Sequence, residues 1–347
     1  MRYRLFGRTG LRVSELALGT LNFGRQWQHG AEIEEAGRML NAYAERGGNF
    51  IDTSDSYQYG ESEKYLGQLL KDRRDEFVLA TKFSQWATPQ ASILATGNSR
   101  KAMIASLEAS LKRLATDRID LYWAHYPDEV TPSEEIMRGF EDLIRSGKIL
   151  YAGLSDFPAW RVARATSLAE FYGYTALAGI QVEHSLLRRS MEYEFLPMAQ
   201  AFDLGITTWS PLGGGVLTGK YRQGSSGRYE AFGGLGFVPE EEAQQTAVID
   251  TVLEIARELG VTPSQVAIAW SHSKGVVPII GPRNMTQLED NLGALKCVFE
   301  PEHIERLDRV SALPKVFPYT MTDTDGCRQR ISGGKFELLE MPKRPVA

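Results

Sequence analysis

The sequence predicts an α/β chain closed into a (β/α)8 TIM barrel, with an N-terminal β-hairpin and extra helices, and three observations point there. Eight short apolar runs rich in β-branched and aromatic residues recur along the chain: ALGTL, NFIDTS, FVLATKF, IDLYWAH, LYAGLS, AGIQVE, GITTWS and VVPIIG. Segments of helical period alternate with them, which is the pattern of repeated βα units around a parallel sheet. No Pro/Gly-rich linker or internal repeat divides the middle of the chain. Eight strands with intervening helices favour one closed barrel over an open doubly wound sheet or two smaller α/β domains.

Taken in order, RYRLF and LRVSEL around the turn from Gly7 to Gly10 read as the hairpin. The segments Ala31 to Arg46, Ser62 to Lys71, Ser99 to Leu114, Ser133 to Ile144, Trp160 to Phe171 and Met191 to Phe202 space apolar residues by three and four, as a helix covering a strand must. Ser133 followed by Glu134 and Glu135, and Pro263 ahead of a helical run, read as helix starts. Three stretches exceed ordinary connections: Ser84 to Asn98, Ser210 to Pro239 and the tail from Leu313. The first two follow strands and belong at the barrel mouth. GSSGR at Gly224 to Arg228 suggests a mobile closing flap in the second. We expect a single domain over 1–347, with a core of about 15–312 and a C-terminal extension of about 313–347.

At 347 residues the length alone would suggest two domains, but this is only a weak default, since α/β barrels routinely hold about 200 to 250 residues in one unit. Lys+Arg 39 against Asp+Glu 44 gives a net charge of −5, which argues against nucleic acid or an anionic membrane as partner and for a small molecule. With 43% hydrophobic and 24% charged residues the chain is neither disordered nor a coiled coil. Cys297 and Cys327 are too few for a disulfide framework or a four-cysteine zinc site. The N-terminus has no apolar leader and no stretch is long enough for a membrane span, so a cytoplasmic protein is expected. His29, His184, His272 and His303 show no pattern of metal ligands, and no metal is expected.

In a barrel, polar residues at the C-terminal strand ends are site candidates. Here they are Asp52, Lys82, His125, Ser155, Asp156, Gln181, Glu183, Trp209 and Ser210. Each has a plain structural reading: a buried aspartate often pairs a lysine, and a strand-end histidine often only packs. Together with Tyr57, five residues beyond Asp52, they describe a proton-donating site. A phenol is a poor acid at neutral pH, but a nearby ammonium stabilises its phenolate. Lys82 supplies the ammonium, Asp52 holds it charged, and His125 donates to a carbonyl oxygen. Such a set suits carbonyl reduction, in which negative charge develops on oxygen.

A hydride donor is then required. The dinucleotide fingerprint GxGxxG is absent, since Gly213, Gly214 and Gly215 are consecutive. GGVLTGK from Gly214 to Lys220 matches part of a P-loop, but Tyr221 stands where the magnesium-binding hydroxyl is needed. A glycine-rich loop ending in lysine can still wrap a pyrophosphate. A different chemistry would make Lys82 a Schiff-base nucleophile in a barrel aldolase or lyase.

The segments GRTGLRVSELALGTLNFG, GNFIDTSDSYQYGESEKYLG, LATKF, RIDLYWAHYPD, AGLSDF, IQVEHSLLRR, TTWSPLGGGVLTGKY and GPRNMTQLEDNLGAL occur in order along essentially the whole chain. On them the chain resembles the aldo-keto reductase superfamily, near the branch of potassium-channel beta subunits, aryl-alcohol dehydrogenases and related bacterial reductases. The resemblance implies a catalytic tetrad of Asp52, Tyr57, Lys82 and His125, with Tyr57 the general acid in reduction and base in oxidation. It implies a nicotinamide nucleotide whose carboxamide meets Ser155, Asp156 and Gln181 and whose ring stacks on Trp209. Ser210, Pro211, Leu212, Gly213, Gly214 and Lys220 match the pyrophosphate loop, and Gly281, Arg283, Gln287, Asp290 and Asn291 match the adenosine end. Gly19 and Thr20 fall beside the nicotinamide ribose.

Asp156 departs from the asparagine usual in that family. An ionised carboxylate accepts from the carboxamide NH2 but cannot donate to its oxygen, which lowers cofactor affinity or turns Asp156 to another contact. NADP(H) is favoured over NAD(H), because Arg283 suits a 2′-phosphate and the family mostly prefers NADPH; alternatively Arg283 only caps the following helix. Phe23, Trp27, Tyr59, Trp86 and Tyr126 lie near the expected mouth and are candidates for an apolar substrate pocket. The partner is a small carbonyl or alcohol. The resemblance to channel subunits offers an alternative, a nucleotide-holding redox sensor with little turnover.

Overall fold

The computed structural model describes residues 1–223 and 243–346. The expected flap sequence at Gly224 to Arg228 lies outside the described residues. The hairpin pairs β1 (Tyr3–Leu5) antiparallel with β2 (Arg12–Ser14), Arg4 opposite Val13. Eight parallel strands then close in the order in which they arise: β3 (Ala17–Gly19), β4 (Phe50–Asp52), β5 (Val78–Phe83), β6 (Ile119–Ala124), β7 (Ile149–Ser155), β8 (Gly179–Glu183), β9 (Gly205–Trp209) and β10 (Val277–Ile280), which pairs back onto β3. These are the eight apolar runs, and their unbroken burial in β5 and β6 follows from having the barrel interior on one face and helices on the other.

Around the barrel lie α1 (Ile33–Glu45), α2 (Glu61–Leu69), α3 (Arg100–Leu114), α4 (Ser133–Arg145), α5 (Ala159–Tyr172), α6 (Phe195–Ala201), α7 (Ala243–Leu259), α8 (Pro263–Ser273), α9 (Met285–Gly293) and α10 (Pro301–Val310). The segment expected as one helix from Met191 to Phe202 is instead a 3-10 turn, Ser190–Glu192, followed by the short α6. Pro197 explains the break: lacking an N–H, it is tolerated only in a first turn, so α6 must begin just before it. Two short helices, Tyr319–Thr322 and Asp325–Ile331, carry the tail over the surface. The tail is tied down where Tyr193 donates to the carbonyl of Pro314 at 2.5 Å and stacks on Tyr319. No described helix is long and apolar enough to cross a membrane.

The hairpin closes one end of the barrel. Phe6 is buried beneath the strands, its ring edge-on to Phe50 at 5.7 Å and to Trp123 at 6.3 Å. Gly179 and Gly205, which open β8 and β9, make room for it: a Cβ on either would come within 2.7 Å of that ring. With this end plugged by aromatic packing, the opposite end, where the strands terminate, is left for a site. Phe6→Ala is expected to cost about 3–5 kcal/mol, the usual penalty for emptying a buried phenylalanine position. Urea unfolding measures it, and an unchanged midpoint would mean the ring is not a plug.

Candidate active site

Asp52 ends β4, Lys82 is the penultimate residue of β5 and His125 follows β6 directly, so three neighbouring strands deliver three polar side chains to one end of the barrel. Tyr57 comes from the loop after β4. There Gln58 and Tyr59 adopt left-handed backbone angles, φ 51° and 52°, turning the chain back over the strand ends. Gln58 locks that turn, donating to the carbonyls of Leu21 and His29 and accepting from the Trp27 amide.

The four side chains meet. Lys82 is fully buried, and its three ammonium protons have three acceptors: Asp52 Oδ2 at 2.6 Å, the Thr53 carbonyl at 2.8 Å and the Tyr57 hydroxyl at 3.1 Å. Asp52 Oδ1 accepts from the Gln181 amide at 2.8 Å. Burial works to remove the charge of Lys82, but Asp52 and Tyr57 outweigh it and hold the ammonium above the usual lysine range. A lysine so held is a poor amine nucleophile, which argues against the Schiff-base chemistry. The ring of Tyr57 stands edge-on to His125, centroids 6.1 Å apart, and His125 stacks on Tyr126 at 4.6 Å.

The acidity expected of Tyr57 needs correction. Burial raises its pKa, Lys82 lowers it and Asp52 raises it again, and the net direction is upward. The phenol therefore keeps its proton at neutral pH, the Lys82 charge offsetting only part of what burial and Asp52 cost a phenolate. For His125, burial and then the charge of Lys82 push the pKa well below the usual histidine range, so the ring is neutral.

Tyr57 and His125 face a cavity of about 590 Å3. Gly19, Asp52, Asp156, Gln181, Trp209, Ser210, Pro211, Leu212, Gly214, Lys220, Gly281, Arg283, Gln287, Asp290 and Asn291 also line it. Lys82 is fully buried and not part of the lining. Thr20 and Ser155 are fully buried behind the lining, Thr20 donating to the Asp52 carbonyl and Ser155 to Asp156 Oδ2 at 3.2 Å. Gly213 is not part of the lining, and a Cβ there would come within 3.1 Å of Leu187. Trp27 and Tyr126 line the cavity, but Phe23, Tyr59 and Trp86 do not. Phe23 is fully buried in the core, its backbone bridged to Ala31. Tyr59 stands behind Trp27, edge-on at 5.9 Å, and Trp86 is 49% exposed on the loop after β5.

Several lining residues were not singled out in the sequence. Asn22, Gln85, His29, Ser56, Gly215 and Thr218 reach the cavity. Asn22 and Gln85 lie three residues beyond Gly19 and Lys82, a proximity to strand ends that could have marked them. Thr218 and Gly215 fall inside the glycine loop that was noted.

The lining has the chemistry for a nucleotide. Ser210, Gly213, Gly214 and Gly215 all take positive φ, folding the loop tightly beside Lys220; the Gly213 and Gly215 amides are spent on the Ser210 and Leu212 carbonyls, so the positive charge of Lys220 is what the loop offers an anion. Arg283 lines the cavity with its guanidinium 3.3 Å from the His29 ring, and the N-cap of α9 is Asn284, accepting from the Gln287 amide at 3.0 Å. Asn22 Oδ1 is buried without a hydrogen-bond partner beside these groups, an acceptor awaiting a donor. Asp290 is already committed to the Thr262 hydroxyl at 2.6 Å and to Gln265. At the other end Asp156, at φ 56°, accepts from Trp209 Nε1 at 3.1 Å, and burial pushes its pKa up to about 7. Among the described residues no cluster of His, Cys, Asp and Glu could hold a metal ion.

Residues 15–312 match the Aldo/keto reductase family. The chain is 33% identical to a putative aryl-alcohol dehydrogenase of Saccharomyces cerevisiae, covering 93% of this chain and 90% of the relative. It is 36% identical to a norsolorinic acid reductase of Emericella nidulans, covering 89% and 81%. It is 35% identical to a probable voltage-gated potassium channel subunit beta of Oryza sativa subsp. japonica, covering 89% and 96%. A matched span that runs from the first barrel strand to the end of α10, over a closed eight-stranded barrel, leaves no ambiguity: the chain belongs to the aldo/keto reductase family.

Proposed function

We propose that the protein is an NADP(H)-dependent oxidoreductase that interconverts aldehydes or ketones and alcohols, with Tyr57 as general acid in reduction and general base in oxidation. The observation that carries this reading is the hydrogen-bonded line from Asp52 through Lys82 to the Tyr57 hydroxyl, ending at the cavity beside a neutral His125. A nicotinamide nucleotide bound in the cavity supplies the hydride in reduction and receives it in oxidation.

The chain's own residues do the rest. Tyr57 delivers its proton to the oxygen on which charge develops. Lys82, fixed by Asp52 and the Thr53 carbonyl, stabilises the phenolate left behind; because its charge is in place beforehand, no reorganisation is needed when the proton moves. His125, as a neutral donor, orients the carbonyl. Trp209 would stack on the nicotinamide ring, with Ser155, Asp156 and Gln181 around its carboxamide and Gly19 and Thr20 near the ribose. The loop of Ser210, Pro211, Leu212, Gly213 and Gly214 with Lys220 would hold the pyrophosphate. Gly281, Arg283, Gln287, Asp290 and Asn291 would hold the adenosine end, Arg283 pairing a 2′-phosphate and so favouring NADP(H). Trp27 and Tyr126 supply apolar surface for the substrate.

Asp156 gives this site a pH dependence. Protonated, it can both donate to and accept from a carboxamide; ionised, it only accepts. As pH rises through about 7 the donor is lost, so NADPH should bind more weakly, while the positively charged oxidised ring suffers less. In Asp156→Asn, NADPH affinity should stay level between about pH 6 and pH 8, read by titrating protein fluorescence. The same shift affects folding. The folded protein keeps a proton on Asp156 that the unfolded chain sheds near 3.8, so stability falls as pH rises from there to about 7, and the asparagine variant should lack that slope. An equal pH dependence in both proteins would remove Asp156 from the site.

The names of the channel subunit relatives favour a second reading, a nucleotide-binding regulatory subunit with little turnover. A panel of aldehydes and ketones, assayed by loss of NADPH and of NADH absorbance, separates the two. Turnover above the buffer rate supports the reductase; binding of NADPH without turnover across the panel supports the subunit.

A further inference from the structure

Beneath His125 lies a second buried acid that the line from Asp52 to Tyr57 does not use. Asp55 is 1% exposed, two residues before Tyr57. Ser54, between it and the histidine, is also fully buried: its hydroxyl lies 3.3 Å from Asp55 Oδ1, 3.3 Å from His125 Nδ1 and 3.0 Å from the Ser56 hydroxyl, and it accepts from the Ser56 amide. We propose that Asp55 is a positioning residue for the reaction: acting through Ser54, it decides which nitrogen of the His125 ring carries the proton, and so whether the cavity is offered a donor.

The argument is one of counting protons. A neutral imidazole has one N–H and one bare nitrogen. Nδ1 is turned to Ser54, so the cavity receives a donor at Nε2 only if Nδ1 accepts, and Nδ1 accepts only if Ser54 spends its single proton there. An ionised Asp55 would compete for that proton as a charged acceptor, the stronger kind. Ser54 would then donate to Asp55 and accept from Nδ1–H, leaving Nε2 bare toward the substrate. A protonated Asp55 withdraws from the competition and can itself donate to Ser54.

The surroundings hold Asp55 in the protonated form. Burial raises its pKa, Glu63 raises it further, and Arg113 and the hydrogen bonds from Ser54 and the Ser56 amide offset only part. Glu63 on α2 is fully buried and stays paired with Arg113 of α3 and the Thr81 hydroxyl of β5, both at 2.6 Å, which leaves Asp55 the member of the cluster without a cation. Tyr122 of β6, whose pKa is raised by burial and by Asp55, and the Lys82 carbonyl, to which the Asp55 amide donates, complete the enclosure. Asp52 and Asp55 are thus opposed in role: Asp52 is paired with an ammonium, and Asp55 has no ion pair of its own among the described residues.

This deepens the reductase reading and rests on it for its consequence, but its test needs no turnover. The full-length protein, labelled with 15N-histidine and free of nucleotide, has five histidines, and the His125 signals are assigned by their loss in His125→Asn. Two-bond 15N–1H spectra report the tautomer directly. The wild type should show His125 as the Nε2–H form at neutral pH and move toward Nδ1–H as the solution is made alkaline. Asp55→Asn, which cannot ionise, should keep Nε2–H throughout, and Ser54→Ala should uncouple the ring and remove the alkaline change. An Nδ1–H ring in the neutral wild type, the absence of an alkaline change, or a change that persists in Asp55→Asn or Ser54→Ala overturns the proposal. If the tautomers behave as stated while no carbonyl is reduced, the reductase reading fails and the relay stands.

Discussion

Tyr57→Phe is expected to lower kcat for carbonyl reduction by about 10^2 to 10^4-fold, the range contributed by a positioned general acid, with nucleotide affinity changed by less than about twofold. Only a hydroxyl is removed. The ring can keep its edge contact with His125 and its place above Lys82 Nζ, which lies 4.7 Å from the ring centroid. What disappears is the one proton donor linked to the buried ammonium. Stopped-flow assays with one aldehyde and a parallel fluorescence titration measure both quantities. Retained kcat would give the acid's role to His125 or to solvent; loss of nucleotide binding would mean that Tyr57 shapes the cavity rather than serving the reaction.

Lys82→Met is expected to be as damaging to turnover and also to destabilise the fold, because it leaves Asp52 buried and without its cation. Breaking one side of a buried pair costs about 3–5 kcal/mol, whereas replacing both sides is often neutral. Adding Asp52→Asn should therefore recover most of the stability, since an asparagine at that position can still accept from Gln181. It should recover none of the turnover, because the charge that stabilises the Tyr57 phenolate remains absent. The difference between the double variant and the two single ones, by urea unfolding and by kcat, separates the two tasks of Lys82. Recovery of activity together with stability would reduce the pair to a structural brace.

Much of this was legible in the chain. The eight strands stood out because buried parallel strands are short continuous apolar runs, and Asp52, Lys82 and His125 stood out because a strand pattern that ends in a charged or polar residue has nowhere to send it but a barrel mouth. Loop geometry was not legible. Nothing in the letters around Phe23 says that its backbone bridges to Ala31 and its ring is buried in the core, nor that Trp86 is half exposed. The sign of the Tyr57 shift was also out of reach, since the balance between burial and the Lys82 charge depends on how deeply the phenol sits. Asp55 was hidden for a related reason: an aspartate in a polar loop reads as solvated until three dimensions enclose it.

The central claim, a proton from Tyr57 matched to a hydride arriving at carbon in the same cavity, is tested most directly by following the label. With NADPH carrying deuterium at both C4 positions, the wild type should give an alcohol carrying deuterium on the former carbonyl carbon. Tyr57→Phe, bound to the same nucleotide, should give almost none in the same time. An unlabelled alcohol from the wild type, or equal labelling by both proteins, would contradict the account.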